Sequence, residues 1–308
     1  MTAPAGRSDP RVEGVRGETA NSLPYLALAV GIVGVSFASI LIKNLPGVPA
    51  IIISTYRLGL TALLIAPLAL TRGRGELRRM GVRDWALSIL SGVFLAGHFV
   101  SWITSLKYTS VASSVVLVTL GPVFVLAGGY FLYGERATRA GLVGVAAALA
   151  GAAVIGAGDL SGGFGAFQGD ALALVGAVLI AGYLLIGRAV RQRVSVFPYT
   201  LAVYGACAAV LVIASLIFGQ PLYPYSAREL SIFLGLAVIP TIFGHTMFNY
   251  ALGFVKTSIV SMSTLGEPVG ATVLAYFFLG EKVSPLQGTG GLMILVGLYL
   301  FLRFSRKD

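Results

Sequence analysis

The sequence predicts an all-α membrane protein, with ten transmembrane helices arranged as two inverted five-helix repeats. Three observations carry that prediction. Charged residues make up only 11% of the 308 residues and apolar residues 56%, and the mean hydropathy is +0.88. A soluble domain carries ~25% charged residues, and so few charges could not cover one of this size. The apolar residues gather into ten runs, each near the ~20 residues that span a bilayer. One stretch is also used twice. Pro122-Val-Phe-Val-Leu-Ala-Gly-Gly-Tyr-Phe-Leu-Tyr-Gly-Glu135 and Pro268-Val-Gly-Ala-Thr-Val-Leu-Ala-Tyr-Phe-Phe-Leu-Gly-Glu281 lie 146 positions apart and agree at Pro, Val, Tyr, Phe, Gly and Glu. The same shift carries Leu106 onto Leu252, Gly144 onto Gly290 and Gly151 onto Gly297. One register held over that span marks an internal duplication.

In chain order, residues 1–21 mix Arg, Asp, Glu, Pro and Gly and read as a disordered tail. The first run is too long for the apolar core of a signal peptide and no cleavage signal follows it, so it reads as a retained helix. The runs fall at about 22–43, 49–70, 84–106, 110–133, 138–157, 168–189, 197–218, 229–252, 257–279 and 285–304. Loops are short and built from Gly, Pro and Arg, as in Leu45-Pro-Gly-Val-Pro49 and Thr71-Arg-Gly-Arg-Gly75. Backbone polar groups in lipid must be satisfied within the segment, so the runs are helices. The 40 glycines suit helices that pack closely. In the fifth run, Gly144, Ala148, Ala152 and Gly156 form a small-residue stripe, for a neighbour within the subunit or for a dimer. The chain is thus expected as a monomer or a weak homodimer.

Basic residues set the orientation. The odd-numbered loops carry only Lys43, Lys107, Arg228 and Lys282, while the tail, the even-numbered loops and the C-terminus hold the rest, Arg57 apart. The positive-inside rule places both termini in the cytoplasm. With five helices in each half, 22–157 and 168–304, the second half enters the membrane from the opposite side. Inverted repeats of this kind present one midplane site to alternate sides in many secondary transporters.

These residues resemble a known family. Prolines within the fourth and ninth runs, a Gly-Glu at the end of each, and Leu265-Gly-Glu-Pro-Val269 followed by Leu279-Gly-Glu-Lys282 resemble the drug/metabolite transporter superfamily, and within it the EamA-type exporters. The first half departs from the pattern with Gly121 before its proline. The resemblance covers about 22–304. It implies export of small metabolites, often amino acids, across a bacterial inner membrane, with the fifth and tenth helices peripheral to the pathway.

Several residues could carry the chemistry. Pro122 and Pro268 each remove an N–H and kink a helix, freeing the carbonyls of Val118 and Thr264, and read either as packing kinks or as a conformational hinge. Glu267, central in the ninth run, is costly to bury. It reads as an anchor for a substrate amine, a proton-coupling site, or a protonated structural acid. Arg57 and Lys43 read as interfacial anchors, with Arg57 snorkelling outward or bonding carbonyls at helix ends. His98, Ser101, Trp102 and Ser105 share a helix face, as do Thr241, His245 and Asn249. His98 and His245 are 147 positions apart, so the two histidines take near-equivalent places in the halves. The expected midplane cavity is lined by His98, Ser101, Trp102, Tyr183, His245, Asn249, Ser263 and Glu267.

Other classes fit poorly. The net charge of +10 is spread over loops as topology signals, so nucleic acid is not an expected partner. The expected partners are a small-molecule substrate and the lipid bilayer. One cysteine, Cys207, and two separated histidines provide no zinc or metalloprotease motif, and no cofactor is expected. An intramembrane enzyme would need a nucleophile–base pair or metal cluster, and no Walker A sequence is present. A channel, a multidrug exporter and a nucleotide-sugar carrier remain as alternatives, the last requiring basic residues in the pathway.

Overall fold

The computed structural model describes residues 22–109, 111–157, 163–279 and 285–305, and every regular element among them is helical. The 1–21 tail, the Gly280-Glu281 end of the second copy and Lys282 lie outside the described residues. The first run is α1 (Leu23–Ser36) and α2 (Ala38–Lys43), with a break at Phe37. Then come α3 (Ala50–Thr71), a loop helix α4 (Arg74–Arg79) and α5 (Val82–Tyr108). The fourth run is two helices, α6 (Val111–Val118) and α7 (Gly121–Tyr133), followed by α8 (Arg139–Ala157), α9 (Gly163–Arg191) and α10 (Val196–Ile217). The eighth run is α11 (Ala227–Leu236), a π-helical stretch Ala237–His245 and α12 (Thr246–Leu252). The ninth is α13 (Thr257–Ser263), a 3-10 turn Thr264–Gly266 and α14 (Glu267–Leu279), and the chain closes on α15 (Pro285–Ser305). Six helical stretches among the described residues are long and apolar enough to cross a membrane: Leu23–Lys43, Ala50–Thr71, Val82–Tyr108, Phe167–Arg191, Val196–Ile217 and Ala227–Leu252.

Helix boundaries repeat with the sequence shift. Ala50–Thr71 and Val196–Ile217 are offset by 146 positions at both ends, as are Gly121–Tyr133 and Glu267–Leu279. The starts of α6 and α13, and of α8 and α15, obey the same offset. Turn chemistry repeats it locally. Gly134 ends α7 in the left-handed region at φ 67°, which glycine alone enters without cost. Glu135 then points its carboxylate at the first N–H of α13, accepting from Thr257 N at 3.4 Å. An acid at that helix start also suits the helix dipole.

Packing is pairwise. α5 lies along α9, α3 along α10, α8 along α15, and α1 against the π-helical stretch and α12. The α8–α15 contact is made backbone to backbone. A Cβ on Gly144 would stand 2.6 Å from the Gly297 carbonyl oxygen, and one on Gly151 would stand 2.5 Å from that of Gly290. Gly144 and Ala148 of the small-residue stripe therefore meet a neighbour within the subunit. Two further ties hold helix ends together. Lys43 Nζ donates to the Leu106 carbonyl at 3.5 Å, and Arg188 Nη1 donates to the Leu252 carbonyl at 3.1 Å and to that of Val255 at 2.6 Å. Leu106 and Leu252 are equivalent under the shift.

Candidate functional site

The site forms where helices break. Pro122 and Pro268 do not sit in the middle of continuous helices, as the run lengths suggest. Each is the second residue of a new helix, α7 or α14, where a missing N–H is tolerated because no intrahelical partner exists for it. The chain before Pro268 tightens into the 3-10 turn Thr264–Gly266. The π-helical stretch carries Pro240, Thr241 and His245. Local widening of this kind recurs at functional sites.

Arg57 corrects the sequence expectation most strongly. It is 0% exposed and does not snorkel. It stands seven residues into α3, about 10 Å along the axis at ~1.5 Å per residue, with α10, α5 and the π-helical stretch packed around that helix. Nε donates to Thr241 Oγ1 at 2.8 Å, and the guanidinium carbon lies 4.2 Å from the centre of the Phe99 ring, a cation–π contact.

A cavity of about 40 Å³ opens beside it. Its polar lining is Arg57 from α3, His98 and Trp102 from α5, Thr119 between α6 and α7, His245, Thr264 and Glu267. Val35, Ala38, Val118, Ile180 and Phe248 supply the apolar walls. Four of the eight residues expected from sequence thus meet here: His98, Trp102, His245 and Glu267. The two histidine rings are 6.4 Å apart. His98 Nδ1 donates to the Gly176 carbonyl at 2.9 Å, which fixes the tautomer and leaves Nε2 as the free edge of the ring.

The other four do not line the cavity. Ser101 turns back on its own helix, donating to the carbonyls of Gly97 at 2.7 Å and His98 at 3.1 Å. Ser263 donates to the Ile259 carbonyl at 2.9 Å. Serine in an apolar helix is often satisfied this way. Asn249 lies one layer behind, donating to Tyr204 OH at 3.1 Å. Tyr183 stands edge-on to His245 at 6.4 Å between ring centres and backs that ring. Helical spacing brings His98, Trp102 and His245 to the cavity, but a face is wider than the cavity it borders. Arg57, Thr119 and Thr264 were missed. For Arg57 the signal was present, since a lone cation within an apolar run points to a pathway by default. The threonines give no such signal, because only the helix breaks bring them to the cavity.

The chemistry on offer is recognition. Arg57 and Glu267 place a guanidinium and a carboxyl group on one small cavity, yet they form no direct pair. The guanidinium bonds Thr241 through Nε, while Nη1 and Nη2 are buried without a protein partner. No group of three His, Cys, Asp or Glu among the described residues is arranged to hold a metal ion.

The EamA-like transporter family model matches residues 22–157 and again residues 167–303. The chain belongs to the EamA-like transporter family. It is therefore a member of the drug/metabolite transporter superfamily, as its motifs suggested. Similar curated proteins include a probable terminal-alkyne amino-acid exporter of Streptantibioticus cattleyicolor, 28% identical over 80% of this chain and 83% of that protein. Another is a probable amino-acid metabolite efflux pump of Salmonella typhimurium, 28% identical over 70% of this chain and 76% of the other. An uncharacterised transporter of Archaeoglobus fulgidus is 27% identical over 90% of this chain and 95% of its own. One solved crystal structure superposes with a TM-score of 0.75 at 21% identity, covering 93% of this chain and 98% of the other, which shows a shared fold. In this EamA-like transporter both matched stretches build the cavity. The first gives Arg57, His98, Trp102 and Thr119, and the second gives His245, Phe248, Thr264 and Glu267.

Proposed function

We propose that this EamA-like transporter is a secondary exporter of amino acids or closely related metabolites across the bacterial inner membrane. It works by alternating access between two inverted five-helix repeats, residues 22–157 and 168–304, with both termini in the cytoplasm. The observation that carries this reading is the central cavity, lined by both family-matched stretches at their equivalent helix breaks. Packing supports the inverted arrangement. Gly144 meets Gly297 and Gly151 meets Gly290, and each pair is the image of the other under the shift, as a two-fold axis between antiparallel helices requires. The helix-end ties Lys43–Leu106 and Arg188–Leu252 end on equivalent carbonyls, with donors one position out of register, and in this reading close opposite ends of the pathway.

In this reading Trp102, His98 and His245 contact the substrate, and Glu267 takes its ammonium group. Ser101, Tyr183, Asn249 and Ser263 hold the wall from behind. A carboxyl that exchanges an ammonium for a proton couples export to proton entry. A cavity with Arg57 as its cation suits a small zwitterion better than a nucleotide sugar, whose phosphates call for several donors. Pro122 and Pro268 let the half-helices α7 and α14 swing as the repeats exchange positions. The test is uptake and counterflow of radiolabelled amino acids in proteoliposomes, with and without a pH gradient. Saturable counterflow of apolar amino acids is expected. Flux that never saturates and shows no counterflow contradicts a carrier.

A further inference from the structure

Nitrogen donors around the central cavity stand without a partner in the protein: Nη1 and Nη2 of Arg57, and Nε1 of Trp102. Both residues line that cavity. Arg57 is held from behind rather than from within. Its Nε bonds Thr241 Oγ1, its face rests on Phe99, and Thr241 is itself fixed by donating to the Leu236 carbonyl at 2.7 Å. A buried cation whose donors find no partner is strongly disfavoured, so the free edge needs an acceptor. Glu267 lines the same cavity but does not fill that role, since no protein atom bonds Nη1 or Nη2. The planar fork of a guanidinium matches the two oxygens of a carboxylate.

We propose that Arg57 is the carboxylate-recognising residue of the central cavity. Its two Nη groups, with Trp102 Nε1 beside them, take the α-carboxylate of an amino acid whose ammonium faces Glu267. This assignment rests on the amino-acid export reading above and names how that substrate is oriented. The second half has no copy of it, because the equivalent position is Val203, fully buried. A cavity cation supplied by one half alone gives the substrate a single orientation while the halves exchange. At about 40 Å³ the cavity has room for a few water molecules rather than for a whole amino acid. Separation of the halves admits the carboxylate.

The test uses the full chain in nanodiscs and isothermal titration calorimetry with three probes: L-leucine, L-leucinamide, which lacks the carboxylate charge, and 4-methylpentanoate, which lacks the ammonium. Wild type is expected to bind leucine at least about tenfold more tightly than leucinamide, since a site built for a polar group rejects the analogue that lacks it. Arg57→Gln should bind the two equally, and Arg57→Lys should fall between, keeping the charge without the fork. Thr241→Val should weaken leucine binding and leave leucinamide binding unchanged. That variant and the wild-type ratio decide the matter if Arg57→Gln does not fold. Weaker binding of 4-methylpentanoate than of leucine, with the difference lost in Glu267→Gln, places the ammonium at Glu267. A wild type that binds leucine and leucinamide alike, or a folded Arg57→Gln that keeps the preference, overturns the role of Arg57 and leaves amino-acid export standing. Failure to bind any of the twenty amino acids overturns both.

Discussion

Trp102, His98 and His245 form a wall of rings on the central cavity. The indole and the His98 ring lie 6.2 Å apart and nearly parallel, at 10°, and flat rings of this kind give apolar contact to a substrate side chain. Trp102→Ala is expected to reduce counterflow of leucine and phenylalanine about tenfold, the scale of an apolar pocket contact, while alanine is affected less. Radiolabelled exchange with the three amino acids checks it, and an equal loss for all three contradicts a role in side-chain recognition. Glu267→Gln removes the exchangeable proton while keeping the shape of the group. Uptake by that variant should no longer respond to an imposed pH gradient, although leucine exchange persists at reduced affinity. A retained pH response removes Glu267 from coupling. Sequence pattern brought four of these wall residues into view, because a histidine in each half at nearly the repeat offset is a rare coincidence. It misread Arg57, since distance from a helix end along the chain does not say what packs around that helix.

At the scale of elements, the breaks matter more than the helices. The prolines of the fourth and ninth runs were legible as disturbances, but the outcome was two helices each rather than one bent helix. The π-helical stretch Ala237–His245 contains Pro240, a mark that disturbs a helix without saying what geometry replaces it. Pro268→Ala restores an N–H and allows α13 and α14 to join. It should lower leucine counterflow several-fold more than it lowers the yield of folded protein, and equal losses argue for a packing role alone. The contact between α8 and α15 makes a contrasting prediction. A valine at Gly151 drives side-chain carbon into the Gly290 carbonyl, and overpacking of this kind costs about 1–3 kcal/mol. Gly151→Val should lower the melting temperature in detergent without changing oligomeric mass. A change of mass at unchanged melting temperature contradicts the intramolecular contact. The stripe itself was legible from spacing. Its partner was not, because small residues serve either kind of neighbour.

For the whole molecule, the duplication was readable from one motif and one offset, and the helix boundaries follow that offset across most of the chain. Orientation rests on the distribution of Lys and Arg, which acts during insertion and leaves no trace in helix packing. Alternating access requires that the two helix-end ties open in turn. Cys207 is buried and the chain holds one cysteine, so a Cys207→Ala background allows engineered pairs. Cross-linking Lys43→Cys to Leu106→Cys, or Arg188→Cys to Leu252→Cys, should each stop transport reversibly, with reduction restoring it. Transport that continues through either cross-link contradicts gating at that end. The most direct measurement of the central claim is counterflow: proteoliposomes loaded with unlabelled leucine and diluted into trace labelled leucine. The account predicts transient accumulation of label above its equilibrium level, lost when either cross-link is formed. Label that only equilibrates, at a rate indifferent to the internal leucine, contradicts a carrier built on one alternately exposed site.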